Sequence, residues 1–138
     1  TGMKIMLDSG AYMPEYAHGQ DAGADLRSPF DVSIRPHSSI TIDTGVHVEI
    51  PSGMVGMLKS KSGMNVKHDI TSEGVVDEGY TGSIRVKLYN HGYGTYTVCK
   101  GDKITQLVIM PVHHATFEQV DSLEETERGD NGFGSTGR

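Results

Sequence analysis

The chain has 138 residues, enough for one domain whose core needs no disulfide or structural metal. Eighteen acidic against twelve basic residues give a formal net charge of -6, which argues against a protein that binds nucleic-acid polymers. A single cysteine excludes an internal disulfide, and no apolar run suggests a membrane span, so we expect a cytoplasmic protein. Thr1-Gly2, before Met3, resembles the remnant of a cleaved tag, and the predicted domain begins at Met3.

The pattern of glycines and apolar residues predicts the fold class. Eighteen glycines, no tryptophan and very little helical periodicity favour many short strands joined by tight turns. Short apolar runs or period-two alternation predict strands at 4–7, 30–34, 40–44, 46–50, 54–59, 84–88, 97–99 and 104–110. We therefore predict an all-β fold, a sandwich or barrel, over residues 3–127.

Two segments in the first half of the chain carry candidate site residues. In the first, 21–28, small residues bracket an acid, Asp25, at a predicted strand start, where it could also be a solvated turn carboxylate. In the second, Lys61, Ser62 and Gly63 follow the strand 54–59 and offer donors suited to phosphate oxygens, especially if a short helix begins there. The same residue types are common in any exposed loop, so both alternatives stay open.

The stretch 74–82 contains the strongest candidate, Asp77. This acid stands between an apolar pair that we predict to be buried, Val75 and Val76, and a glycine turn, with Tyr80 three residues further on. Because strand residues alternate between faces, Val75 and Asp77 share one side, and Asp77 lies at the strand end. The glycines on both sides permit close approach of a ligand to the main chain. Asp77 could act as a base, a metal ligand or a turn former.

The last part of the chain adds a polar amide within an apolar strand and a glycine-rich tail. Gln106 lies inside the most apolar strand, 104–110, so it is either a hydrogen-bonding core residue or aimed at a ligand. The acidic run 118–127 is predicted to be solvated. The tail 128–138 combines glycines with Arg128, Phe133, Ser135 and Thr136, groups that bind phosphate or stack on a base. We predict a flexible lid that orders on a ligand and excludes water.

Taken together, these segments resemble the five ordered motifs of the trimeric dUTP pyrophosphatase (dUTPase) family, at 22–28, 61–63, 74–82, 101–107 and 128–137. The resemblance implies a jelly-roll-like β subunit of the β-clip type and a homotrimer that shares its active sites between subunits and closes them with C-terminal arms. It also implies Mg²⁺-assisted hydrolysis of dUTP to dUMP and pyrophosphate, which limits uracil incorporation into DNA and supplies dUMP for thymidylate synthesis.

The resemblance also implies a role for each matched residue. Asp77 resembles the base that deprotonates the water attacking the α-phosphorus, and Tyr80 resembles the ring under the deoxyribose. Asp25 and Gln106 resemble polar groups around the α-phosphate; Asp25 would touch Mg²⁺ only through water, because the phosphates hold most of the ion. The remaining substrate-binding positions implied by the motifs are Lys61, Ser62, Gly63, Gly74, Val76, Ile84, Arg128, Phe133, Gly134, Ser135 and Thr136.

Two departures from the family pattern leave parts of the site open. Lys61 replaces the usual arginine and lacks its bidentate fork, and Thr71 stands where some members place an asparagine on uracil. A related dCTP deaminase is disfavoured, because Lys87 stands where that branch needs a glutamate. A nucleotide-gated regulatory module, as in some phage members, is the remaining alternative.

Overall fold

The computed structural model describes residues 2–131, which form ten β-strands and one α-helix. The predicted all-β fold class is therefore confirmed. The strands are β1 (Ile5–Leu7), β2 (Gly23–Arg27), β3 (Val32–Ile34), β4 (Ser38–Asp43), β5 (Val46–Val48), β6 (Met54–Lys59), β7 (Ile70–Val76), β8 (Arg85–Asn90), β9 (Tyr96–Val98) and β10 (Lys103–Pro111), and the helix is α1 (Ser62–His68).

The strands form one large sheet and two small ones, with every pair antiparallel. The six-stranded sheet has the order β2-β10-β6-β7-β8-β4, and the two-stranded sheets are β1-β5 and β3-β9. Helix α1 connects β6 to β7 at one end of the large sheet. This order places β2, β10, β6 and β7, which carry or adjoin four of the five motifs, side by side.

The core lies between these sheets and follows the period-two alternation of the strands. In β8 exposed and buried residues alternate strictly, with Val86, Leu88 and Asn90 inward. Asn90 is a buried polar residue whose amide donates to the carbonyl of Ile34 at 2.9 Å, which satisfies it inside the core. The cluster continues through the buried residues Leu26, Ile42, Val46, Val48, Leu58, Ile70, Val76, Val98, Ile104 and Leu107. A continuous core of this kind gives the site segments a rigid support.

The structure corrects one local prediction, the burial of the apolar pair before Asp77. The prediction that Val75 and Val76 are both buried is wrong for Val75, which is 59% exposed, while Val76 is 5% exposed. The alternation put the two side chains on opposite faces, and only one of those faces meets the core. Residues 112–131 contain no strand or helix, and the acidic run within them is exposed throughout. The only helix in residues 2–131 is too short to cross a membrane.

Candidate active site

Asp25 lies in the middle of β2 and holds two ammonium groups. The residue is only 3% exposed, which excludes a solvated turn carboxylate. Lys61 donates a hydrogen bond to Oδ1, and Nζ of Lys103 lies 3.2 Å from Oδ2. Burial alone would raise the pKa of Asp25, but the hydrogen bonds from Lys61 and Lys103 outweigh it and hold the pKa below its ordinary value. Asp25 is therefore an ionised carboxylate that positions two cations.

Gln106 faces Asp25 across the β2–β10 pair and is held in place by the protein. Its Nε2 donates to the carbonyl of Ser60 at 3.0 Å, just before the loop that carries Lys61. Gly23 makes room for the amide, because a Cβ at position 23 would stand 2.8 Å from Cβ of Gln106. Gln106 is thus partly buried and links β10 to the start of the second motif.

The second motif begins helix α1. Lys61 is the N-cap residue, with extended backbone angles φ -76° and ψ 127°, and makes no side-chain cap. Its side chain turns instead to Asp25. Ser62 and Gly63 occupy the first turn and are exposed. The short helix that we considered at this position is therefore present, and its first residues face solvent.

The second group of candidate residues lies on the turn after β7. The amide of Tyr80 donates to the carbonyl of Asp77 at 3.1 Å, and Gly79 between them has a φ of 90°. The hydroxyl of Tyr80 donates to the carbonyl of Ser83 at 2.7 Å, which folds the ring back over the turn. A Cβ on Gly82 would lie 2.6 Å from that hydroxyl. The turn therefore fixes Tyr80 while leaving 45% of the residue exposed.

Asp77 is the exposed carboxylate at the start of this turn. It follows the last residue of β7 directly, as the alternation predicted. It makes no ion pair with any residue in the part of the chain that the structure describes. It lines an open surface cavity of about 660 Å³ together with Glu49, Met54, Glu78 and His114. The carboxylate is therefore accessible on a rigid strand end.

The segment 77–84, called the hairpin below, is fastened to the β4–β5 turn. Thr44 donates to the carbonyl of Ile84 from its backbone amide at 3.0 Å and from its hydroxyl at 2.7 Å. The amide of Ile84 donates to the carbonyl of Val46 at 2.8 Å. The hydroxyl of Ser83 donates to Asp43, and this bond, followed by the amide of Gly45, lowers the pKa of Asp43. Ile84 is 1% exposed, so the hairpin is anchored in the core.

Within one chain the two groups lie apart. Gln106 pairs with Lys59, and Lys59 pairs in turn with Glu73. Asp77 is four residues beyond Glu73, which corresponds to about 13 Å along the strand. The single chain therefore brings Asp25, Lys61 and Gln106 together, and separately Asp77 with Tyr80, but it does not join the two groups.

The family model described as dUTPase matches residues 10–137. The chain belongs to the dUTPase family. A deoxyuridine 5'-triphosphate nucleotidohydrolase from Gloeothece citriformis is 43% identical over 134 residues, covering 95% of this chain and 92% of the relative. A protein of the same name from Clostridium kluyveri is 41% identical, covering 95% of this chain and 94% of the relative.

Solved structures of dUTPases have the same fold as this chain. The Staphylococcus bacteriophage 80alpha dUTPase with dUpNHpp has a TM-score of 0.91 and 32% identity, covering 99% of both chains. A dUTPase from phage phi11 of S. aureus, described with a structural Mg(II) ion, has a TM-score of 0.83 and 31% identity, covering 91% of this chain and all of the other. The family and the enzyme class that the sequence indicated, a dUTP diphosphatase, are confirmed.

The dUTPase motifs are only partly described by the structure. The first four motifs and the start of the fifth, including Arg128, lie within residues 2–131. Arg128 donates from Nε to the carbonyl of Asn131, and the amide of Gly129 donates to the hydroxyl of Thr126 at 3.0 Å. Phe133, Gly134, Ser135 and Thr136, predicted for the lid, lie outside the described residues. The role of each matched residue stays a prediction.

The donor set of the site bears on the expected Mg²⁺. Within residues 2–131 no three His, Cys, Asp or Glu side chains form a group that could hold a metal ion. Both oxygens of Asp25 already face lysine ammonium groups. Mg²⁺ typically keeps several waters and is bound through substrate phosphates plus one or two carboxylates. The described residues therefore fit an ion that arrives with a triphosphate, with at most a water-mediated contact to Asp25.

The sequence did not indicate a site role for Lys103, although the residue lies within the fourth motif, 101–107. The register of β10 against β2 shifts between Lys103 and Thr105, a bulge that changes which residues share a face. Without it, Lys103 and Gln106, three residues apart, would point to opposite faces. The bulge places Lys103 opposite Arg27, on the same face as Asp25. A strict period-two pattern could not show this, because the extra residue leaves no signature in residue type.

Proposed function

We propose that this protein hydrolyses dUTP to dUMP and pyrophosphate in the cytoplasm, limiting uracil incorporation into DNA and supplying dUMP for thymidylate synthesis. The observation that supports this most directly is the exposed carboxylate of Asp77, which lies at a strand end in the same turn as Tyr80. A base mounted in this way can accept a proton from water without moving the backbone.

The proposed reaction is an in-line attack of water on the α-phosphorus. Asp77 orients the water and takes its proton, and pyrophosphate leaves on the opposite side. Tyr80 packs under the deoxyribose, where its fixed ring leaves no room for a 2′-hydroxyl. Lys61 and Gln106 contact phosphate oxygens, and Lys61 supplies charge without the bidentate geometry of an arginine. Mg²⁺ bound with the phosphates would neutralise their charge and fix their conformation.

The proposed site is assembled from more than one chain. The separation of about 13 Å along the strand between the Asp25 group and Asp77 supports this, since one triphosphate cannot have its α-phosphate at both places. The proposed assembly is a homotrimer in which the hairpin of one subunit meets the Asp25 group of another. Residues 128–138 form the lid that closes over the nucleotide.

The test is pyrophosphate release from dUTP with Mg²⁺, run beside dCTP, dTTP and UTP. The full chain is compared with a version that ends at Glu127. Turnover of dUTP alone that falls strongly without residues 128–138 would support both the substrate and the lid. Release of ammonia from dCTP would instead support a deaminase, and no turnover of any of the four nucleotides would overturn the proposal.

A further inference from the structure

His47 lies outside the five motifs and contacts the hairpin directly. It is the middle residue of β5, paired with Met6 of β1, and its side chain is 19% exposed. Its Nδ1 lies 2.8 Å from the carbonyl oxygen of Thr81, the residue after Tyr80. Its Nε2 lies 3.0 Å from Oδ1 of Asp8, in the loop after β1. The ring therefore connects three segments that meet beside the hairpin.

Both ring nitrogens of His47 face atoms that only accept hydrogen bonds. The carbonyl oxygen of Thr81 and the carboxylate oxygen of Asp8 accept hydrogen bonds and have no proton to donate. A neutral imidazole has one N–H and can satisfy one of them, whereas an imidazolium donates to both. The two contacts are made at the same time only by the protonated ring.

The surrounding charges favour that proton. The hydrogen bond to Thr81 and then the one to Asp8 raise the pKa of His47 above its ordinary value, against a smaller opposing effect of burial. Asp43 adds further negative charge, although it also interacts with Arg85 on the neighbouring strand. The other charged side chains on the shallow cavity that His47 and Thr81 line are Lys4 and Glu49.

We propose that His47 is a positioning residue, which in its protonated form clamps the hairpin through Thr81 and so supports nucleotide binding by the adjacent Tyr80. This inference rests on the proposed role of the hairpin in binding dUTP. The folded pKa is raised, so the clamp is complete below about pH 6.5 and gives up one of its two hydrogen bonds as the pH rises through the folded pKa. Nucleotide binding therefore weakens on the alkaline side.

The first measurement needs no turnover. NMR spectra of the full chain are recorded from about pH 5.5 to 9, a range that spans histidine titration. The ring protons of His47 report its titration, and the backbone amides of Thr81 and Gly82 report the hairpin. We expect the amide signals to shift with the same midpoint as the ring. A hairpin that does not respond to the His47 titration would overturn the clamp even if dUTP is never hydrolysed.

The second measurement is the KM for dUTP over the same pH range. We expect KM of the natural chain to rise about two- to tenfold on the alkaline side, the range of one hydrogen bond of ordinary net strength. In His47→Gln, KM should already be raised at low pH and should change less with pH. In His47→Arg, which keeps its charge, KM should stay low throughout. An unchanged pH profile of KM in His47→Gln would contradict the proposal.

Two further variants test whether the pH dependence of KM comes from the His47 contacts or from the loss of any histidine–aspartate pair. Asp8→Asn removes the negative charge beside Nε2 of His47 and should move the rise in KM to lower pH. It also serves as the test where His47→Gln does not fold. His18→Gln removes a second histidine–aspartate pair, exposed and in the loop before β2, and should leave the profile unchanged. If the natural chain does not turn over dUTP, the proposed function fails, while the NMR titration still decides whether the clamp exists.

Discussion

The hydroxyl of Tyr80 occupies the space that a side chain on Gly82 would need. The hydroxyl lies 2.6 Å from the position of a Cβ on Gly82 and donates to the carbonyl of Ser83. Tyr80 can therefore fold over the turn only while residue 82 is glycine. The orientation of the Tyr80 ring, which we propose to pack under the deoxyribose, therefore depends on a residue that has no side chain.

Gly82→Ala should displace the ring of Tyr80 and weaken nucleotide binding. Since the lost contact includes one hydrogen bond, we expect KM for dUTP to rise about two- to tenfold, with discrimination against UTP reduced. Parallel kinetics with dUTP and UTP measure both effects. Gly94→Ala is the control, because a Cβ at position 94 meets nothing within 4 Å. Equal kinetics in the two variants would show that the ring does not need this space.

Asp77→Asn should retain nucleotide binding and lose turnover. An amide of the same shape cannot accept the proton of the attacking water, so we expect kcat to fall about 10²–10⁴-fold. Isothermal titration with a non-hydrolysable dUTP analogue and a pyrophosphate assay separate the two quantities. Glu78→Gln is the matched control, since this neighbouring carboxylate accepts from the amide of Gly53 instead. An ordinary surface substitution changes kcat by about twofold or less. If Asp77→Asn changes kcat no more than that, Asp77 is not the catalytic base.

Gly23→Ala should force Gln106 away from the carbonyl of Ser60. The new Cβ would stand 2.8 Å from Cβ of Gln106, and overpacking of this kind typically costs about 1–3 kcal/mol of stability. Urea unfolding of Gly23→Ala, Gln106→Ala and the double variant measures the coupling. Gln106→Ala removes Oε1 and Cδ, two of the three atoms nearest to the new Cβ, but keeps the Cβ at 2.8 Å. The double variant therefore relieves part of the clash and should be more stable than the two single effects predict. Simple additivity would mean that the two residues do not compete for space.

Asp43 should make the hairpin sensitive to acid. The pKa of Asp43 is lowered from its ordinary value of 3.8, first by the hydroxyl of Ser83 and then by the amide of Gly45. Its contribution to stability is therefore complete above about pH 4 and is lost as the pH falls through the folded pKa. The free energy of unfolding should fall more steeply below about pH 4 in the natural chain than in Asp43→Asn. If the free energy of unfolding falls equally steeply below about pH 4 in the two proteins, Asp43 makes no such contribution.

Local patterns explain what could be predicted of this site. Asp77 at a strand end, Tyr80 on the following turn and the short helix after Lys61 depend on alternation and glycine positions within a few residues. The burial of Asp25 between Lys61 and Lys103 depends on three segments that are distant in sequence, namely β2, the N-cap of α1 and β10, and for Lys103 on a bulge. The contact of His47 with Thr81 likewise joins residues far apart in the chain.

The hydrogen bonds between the β4–β5 turn and the hairpin mean that the length of this turn, residues 43–46, controls the position of the hairpin. Residues 43–46 join β4 to β5, and Asp43, Thr44 and Val46 all bond to Ser83 or Ile84. An inserted residue there would pull these anchors out of register and disturb Asp77 and Tyr80 from behind. The exposed tip at Gly19, where a Cβ meets nothing within 4 Å, has no such connection. Peptide tags and fused domains should therefore be accommodated near Gly19 and rejected between Asp43 and Val46, and length variation within the family should be distributed in the same way.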